Sequence, residues 1–282
     1  MNPIVSILAQ GGMGAATAQR LTENGIEVRT LLEGRSAASV ERATKAGMKG
    51  VSEDDFAAAD FIFSIVPPAE AIPLARHLAP MLTRAMKKPV YVDFNAVNPD
   101  TAMMVAMIVE ATGTTFVDGG IIGGPPRPGY SPVYYVSGDE AAKVKALEPF
   151  GIRIDVLDAP GCAASALKMS YAGITKGLIA LGSSMILAAT RAGIAEALYA
   201  ELSESQPTVF AGFSKSIPDM FAKAYRWVSE MEQISAFTGA AGPEHDLYAA
   251  VAKFYDRLGK DYAGPQVAIE SLRAFFVPTK QG

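Results

Sequence analysis

The chain has 282 residues, 50% of them hydrophobic and 19% charged, with a formal net charge of −4. That length exceeds one ordinary core and fits two packed domains, and the balance is globular, not disordered. No basic block favours nucleic acid or an anionic membrane. One cysteine (Cys162) and two histidines (His77, His245) argue against a disulfide framework and a structural zinc site, so no metal is expected.

No apolar run looks long and clean enough to span a bilayer. The best, over 174–189, contains Lys176, Gly177 and Gly182 and reads as a buried helix. The first strand begins near Pro3, which leaves no targeting segment, so a reducing, cytoplasmic location is expected.

The first half alternates strand and helix patterns. Strands are predicted over 4–8, 26–32, 60–66, 89–94 and 115–118. Helices are predicted over 15–24, 37–46, 69–86 and 99–112. Continuous apolar strands separated by helices imply a parallel sheet covered on both faces. A turn-rich stretch over 123–130 comes next. Two last strands, over 132–137 and 153–157, flank a helix over 139–147. The pattern changes near Pro160. From there only helices are expected, over 163–192, 195–203, 216–238, 244–258 and 266–276. The expected architecture is a doubly wound α/β domain over 1–160 and an all-helical domain over 161–282 for substrate and dimerisation.

The segment Ala9-Gln-Gly-Gly-Met-Gly14 follows a strand and opens a helix. Gly11, Gly12, Met13 and Gly14 fit a dinucleotide-binding turn: glycines let backbone approach a pyrophosphate, and the helix start supplies free N–H groups. Ala9 departs from the fingerprint, which has glycine there. This turn makes the first domain a Rossmann domain. The second strand ends at Leu32-Glu-Gly-Arg-Ser36. Arg35 and Ser36 form a clamp for the 2′-phosphate of NADP, whereas Glu33 would suit the ribose hydroxyls of NAD. NADP is favoured, with NAD as the alternative.

Together with four segments further along the chain, these residues resemble the β-hydroxyacid dehydrogenase superfamily, which includes 3-hydroxyisobutyrate and 6-phosphogluconate dehydrogenases and imine reductases. Gly11, Met13 and Gly14 match its G-x-G-x-M-G. Val66-Pro67 matches its hydrophobic-Pro step near the nicotinamide. Asp93-Phe-Asn-Ala-Val-Asn-Pro99 matches D-x-S-T-x-x-P with Asn95-Ala96 for Ser-Thr. Asp118-Gly-Gly-Ile-Ile-Gly-Gly124 resembles D-A-P-V-S-G-G. Lys168 stands where the family has its lysine, but Tyr171 and Ala172 replace the following Asn pair. The second half resembles an uncharacterised branch with a lysine-x-x-tyrosine motif, and the segment Tyr225-Arg-Trp-Val-Ser-Glu-Met-Glu-Gln-Ile-Ser235 agrees with that branch.

The resemblance implies a hydride transfer between a nicotinamide cofactor and an alcohol/carbonyl substrate, with Lys168 as general acid or base. Tyr171 either orients the lysine, binds the substrate oxygen or packs in the core. Helical spacing aligns both with Thr175. Ile122, Gly123 and Gly124 would line the substrate site. Ile122 replaces a carboxylate-holding serine, which points to an apolar or larger substrate. Asn95 is expected at substrate or nicotinamide, with loop capping as the alternative, and Arg127 near an anionic group or in solvent. Lys176 is expected at solvent or an interface. Two other readings stay open: an imine reductase-like enzyme acting on C=N bonds, and a non-catalytic NADP-binding regulator. Ser165-Ala-Leu-Lys168 is formally S-x-x-K, but the S-D-N and K-T-G elements of acyl-enzymes are missing. Apolar residues of the second half, among them Met220, Phe221, Trp227, Phe237, Phe254, Phe275 and Phe276, together with the resemblance, suggest a homodimer.

Overall fold

The computed structural model describes residues 2–8 and 10–277. Ala9, the position that breaks the glycine fingerprint, lies outside the described residues. The chain divides into two compact units, the first ending at Met169 and the second beginning at Ser170.

The first unit begins β1 (Ile4–Leu8), α1 (Gly12–Glu23), β2 (Glu27–Thr30), α2 (Ala37–Lys45), β3 (Lys49–Gly50), α3 (Glu53–Ala57), β4 (Phe61–Ser64) and α4 (Ala71–Arg84). It continues with β5 (Val90–Asp93), α5 (Pro99–Glu110), β6 (Thr115–Ile122), β7 (Val133–Ser137) and β8 (Arg153–Val156). The sheet order is β3-β2-β1-β4-β5-β6-β7-β8. Every pairing is parallel except β6 with β7.

The apolar runs of the strands follow from this arrangement. Side chains alternate between faces with period two. Ile7, Phe63 and Val92 pack on one face with Ala18 and Leu21 of α1. Leu8, Ile62 and Tyr91 pack on the other with Leu74 and Leu78 of α4 and Val105 of α5. Helices cover both faces, so the strands are apolar on both.

Four expectations are corrected here. The helix expected from 15 begins at Gly12, so the glycine turn is itself the first helical turn. β3 and α3 escaped the periodicity because β3 is two exposed residues long. The expected helix over 139–147 is a 3-10 helix over Ala141–Phe150. The strand expected to stop at Asp118 runs on to Ile122, through Gly119 and Gly120. Those glycines are sterically required: a Cβ on Gly119 would lie 2.5 Å from the Phe94 ring, and one on Gly120 2.8 Å from the Ala164 carbonyl oxygen.

The helix α6 (Ala163–Arg191) leads into the second unit. There α7 (Ala195–Ser205), α8 (Pro207–Met220), α9 (Ala224–Thr238), α10 (Pro243–Ala263) and α11 (Val267–Phe275) follow. The single helix expected over 216–238 is the end of α8 plus α9. Met220, Phe221 and Phe275, read from the sequence as interface material, are buried. Phe275 packs edge-on against Tyr199, and Trp227 against Tyr255. Lys176 is paired with Glu230, not solvated, and lies 5.0 Å from the Trp227 ring. By length and composition α6 is apolar enough to cross a bilayer, contrary to the sequence expectation, and 44% of its most apolar window is buried.

Candidate functional site

The sheet's topological switch lies between β1 and β4, where Leu8 pairs with Ser64. Ligands of open α/β sheets bind at the C-terminal strand ends at such a switch. Ser64 pairs in turn with Asp93, and Asp93 with Asp118. The segments singled out from the sequence therefore emerge side by side on one edge.

Gly11 caps α1 in an extended conformation without any side-chain hydrogen bond. The first intrahelical bond recorded there runs from the Ala15 N–H to the Gly11 carbonyl, 2.9 Å. The first-turn N–H groups of Gly12, Met13 and Gly14 thus have no intrahelical acceptor. A Cβ on Gly11 or Gly12 would meet nothing within 4 Å. The fold leaves that space open, so the glycines are not demanded by internal packing. An open cradle beneath free N–H groups fits a pyrophosphate. Met13 packs partly into the core and Gly14 is buried.

Gln10, which sequence reading passed over, fixes this turn. It is buried, and its Nε2 donates to Thr30 Oγ1 at 2.6 Å and to the Leu31 carbonyl at 3.1 Å. The turn is thereby tied to the end of β2. Beyond that end Arg35 is exposed. Ser36 is the N-cap of α2, its side chain accepting from the Ser39 N–H at 3.3 Å. A cap also explains a serine there.

The Val66 N–H donates to Asn95 Oδ1 at 2.6 Å. Asn95 Nδ2 donates to Ser64 Oγ at 2.8 Å, and the Asn95 N–H to Asp93 Oδ1 at 2.9 Å. Asn95 is buried. It caps the β4 loop and holds the Val66-Pro67 step. Asp93 is 1% exposed, and its Oδ2 has no hydrogen-bond partner among the described residues. Burial pushes its carboxyl up to about 7, opposed by the Asn95 N–H and reinforced by the Asp118 charge.

Asp118 is surrounded by donors. Its Oδ1 accepts from Ser165 Oγ at 2.5 Å, and its Oδ2 from the Ser165 N–H at 2.9 Å and Ser137 Oγ at 3.0 Å. Burial pushes this carboxyl up while these bonds hold it down. A carboxylate at the start of α6 also faces its positive dipole end. This clamp fixes the start of α6 to β6. Ser165, whose S-x-x-K spacing with Lys168 suggested acyl-enzyme chemistry only formally, is a partner of Asp118. One turn on, half-buried Lys168 donates from Nζ to the Ile121 carbonyl at 2.8 Å.

Most of the remaining candidates lie at the end of β6, in the loop beyond it or on α6. Ile122 ends β6 opposite Val133. Gly123 has φ of 129°, and a Cβ there would lie 2.3 Å from Tyr130 Oη. The Gly124 N–H donates to that hydroxyl at 3.2 Å. Arg127 stacks its guanidinium over the Tyr130 ring at 5.1 Å, and its carbonyl accepts from Arg20 Nη2 at 2.8 Å, on the last turn of α1. The structure does not bring it to the glycine turn. Tyr171 is 49% exposed. Thr175 donates its hydroxyl to the Tyr171 carbonyl at 2.8 Å, within its own helix. Cys162 is half-buried, and burial with the neighbouring carboxylates pushes its thiol up to about 12. Glu33 is an exposed turn residue.

Comparison with known proteins agrees with this geometry. The chain is 29% identical over 229 residues to an uncharacterised 28.5 kDa protein of Methanothermus fervidus, covering 80% of this chain and 87% of that one. It is 27% identical to conserved protein MTH1747, of unknown function, whose structure is described as similar to 3-hydroxyacid dehydrogenases. That likeness has a TM-score of 0.73 and covers 98% of this chain and all (100%) of the other. The Mycobacterium tuberculosis 3-hydroxyisobutyrate dehydrogenase, solved with L-serine, shares the fold at 19% identity and a TM-score of 0.73, over 97% and 100% of the two chains. An imine reductase from Myxococcus stipitatus, solved with NADP+, shares it at 18% identity and a TM-score of 0.56, over 98% and 100%. Residues 189–258 match a domain of unknown function, DUF1932. Residues 5–151, more than half the chain, match the NAD binding domain of 6-phosphogluconate dehydrogenase, and the chain belongs to that family.

Proposed function

We propose that this protein prefers NADP and interconverts an alcohol and a carbonyl compound, with Lys168 as its proton-transfer group. The observation that carries the proposal is the lysine's placement. A half-buried amine is held at 2.8 Å from the Ile121 carbonyl, on a helix clamped to the same sheet edge as the open glycine turn. The bound nicotinamide supplies or accepts the hydride at the substrate carbon. Lys168 Nζ gives a proton to the carbonyl oxygen in reduction and takes it back in oxidation. Tyr171, one turn further along α6, orients the lysine or binds that oxygen. The turn at Gly11, Gly12, Met13 and Gly14 holds the pyrophosphate, Arg35 and Ser36 face the 2′-phosphate, and Val66-Pro67 borders the nicotinamide. Ile122 in place of a polar residue supports an apolar substrate. NADP preference rests on Arg35 carrying no ion pair among the described residues, since an uncommitted guanidinium suits a phosphate.

We infer also that a second copy covers the exposed face of α6. Ile174, Leu178, Leu181 and Met185 recur at helical spacing there and are 63, 51, 59 and 55% exposed. A contiguous apolar stripe of this kind is uncommon on a monomer.

The test is turnover of Lys168→Ala on aldehydes, ketones and cyclic imines, with cofactor binding measured in parallel. Activity on carbonyl compounds should fall about 10²–10⁴-fold, with cofactor affinity retained. Wild-type activity confined to cyclic imines would replace the alcohol/carbonyl assignment. Cofactor binding with no turnover on any of them would favour a regulator.

A further inference from the structure

Arg42 stands on the second turn of α2, seven positions beyond Arg35. Its Nε donates to the Gln10 carbonyl at 2.7 Å, and its Nη2 to Ser39 Oγ at 3.0 Å. The Gln10 carbonyl is the last one before Gly11 of the glycine turn. Ser39 belongs to the first turn of α2, under the Ser36 cap. The guanidinium thus bridges the glycine turn and the start of α2. Gln10 binds the end of β2 through its amide. These three segments are the ones that surround the adenosine ribose of a bound dinucleotide.

A guanidinium has five N–H donors. The bonds to Gln10 and Ser39 use two of them. No carboxylate pairs with Arg42 among the described residues, and the neighbouring Glu41 is engaged with Lys45 at 2.7 Å. The remaining donors and an uncompensated charge belong to an exposed side chain, and Ser39 Oγ, which Arg42 bonds, lies 3.1 Å from Ser36 Oγ. Glu33 is the acidic residue of the adjoining turn, and it would oppose a phosphate, so a second cation has something to offset.

We propose that Arg42 is a second reader of the cofactor's 2′-phosphate, positioned by its bond to the Gln10 carbonyl. This rests on the NADP preference argued above. A planar fork fixed on one edge presents its other edge to phosphate oxygens, the geometry that favours arginine over lysine for phosphates.

The experiment is fluorescence titration of wild type, Arg42→Ala, Arg42→Gln and Arg35→Ala with NADPH and with NADH. Calorimetry with 2′,5′-ADP and 5′-AMP accompanies it. Arg42→Ala should weaken NADPH and 2′,5′-ADP by about 10- to 100-fold, and NADH and 5′-AMP by less than about threefold. Arg42→Gln keeps an amide donor for the Gln10 carbonyl and loses the charge, so it should show the same selective loss. It remains informative should the alanine variant fail to fold. Equal weakening of both cofactors would mean that Arg42 only braces the turn, and no weakening would mean that it has no part in binding. Either result overturns the proposal. The wild-type NADPH/NADH ratio tests the NADP preference separately. The change of that ratio on substitution tests Arg42.

Discussion

Asp93→Asn should remove a measurable part of the protein's pH-dependent instability. In the folded chain Asp93 titrates near 7, against 3.8 for an unperturbed aspartate. Between those values the folded state keeps a proton that the unfolded state has released. Native binding exceeds unfolded binding there, so stability falls as pH rises. The contribution is complete below 3.8 and fully lost above 7. Each pH unit in that window is worth about 1.4 kcal/mol, so from pH 5 to pH 8 the loss is on the order of 2–3 kcal/mol. Asparagine keeps the Oδ1 acceptor for the Asn95 N–H and cannot ionise. Its amide places a donor where Oδ2 has no partner, which costs about 1–3 kcal/mol at every pH and so does not affect the slope. Urea unfolding of both proteins at pH 5, 6, 7 and 8 gives the comparison. Wild type minus variant should change by about 2–3 kcal/mol across the series. A difference that stays flat with pH would show that Asp93 is ionised throughout, and the burial argument would be wrong.

The same geometry sets four further outcomes. Lys168→Arg should not rescue the loss seen with alanine, because guanidinium stays protonated near neutrality; Tyr171→Phe should lose less than Lys168→Ala in turnover and keep the pH profile if Tyr171 only orients the lysine. Leu178→Glu should convert a dimer into a folded monomer by light scattering, and a wild-type monomer at micromolar concentration would sink the dimer proposal. Gly123→Ala should destabilise the protein by about 1–3 kcal/mol in urea unfolding, because the new methyl meets Tyr130 Oη at a residue with φ of 129°.

Much of this was legible in the chain itself. The apolar runs around Ile7, Ile62 and Val92 announce a sheet covered on both faces, and glycines after such a strand announce the phosphate turn. The signal weakens wherever a role depends on residues distant in sequence. Asn95 reads as a substrate or nicotinamide contact with loop capping as the alternative, and its bond from the Val66 N–H, 29 positions away, at 2.6 Å is invisible to sequence reading. Ser165 looks like half of a catalytic motif until Asp118, 47 positions earlier, is seen beside it. Gln10 and Arg42 belong to no pattern, since Gln10 bonds to Thr30 and Leu31 and Arg42 to the Gln10 carbonyl, 32 positions earlier. Lys176 carries no mark of burial; its partner Glu230 lies on another helix, 54 positions on. The two-residue β3 and the break over 221–223 fall below the length at which periodicity carries information.

The two buried aspartates show how the first unit holds a lysine in place without placing two bare charges side by side. Asp93 and Asp118 pair across adjacent strands, and like charges that close disfavour joint ionisation. Burial raises both carboxyls, but Asp118 has more donors to offset it. Three donors and the start of α6 stabilise the charged form of Asp118. Asp93 has one backbone donor and a bare Oδ2, so the proton stays there. This division has a consequence for Lys168. The lysine's bond to Ile121 depends on α6 being seated on β6, and Asp118 is what seats it. Ionising Asp93 above pH 7 adds repulsion against that clamp, whereas Asp93→Asn removes it. The same substitution that flattens the stability profile should therefore leave turnover less sensitive to alkaline pH, provided Lys168 is carried by the clamp. A variant with a flat stability profile and an unchanged alkaline limb of turnover would separate the two, and would place the lysine's orientation in its own bond to the Ile121 carbonyl.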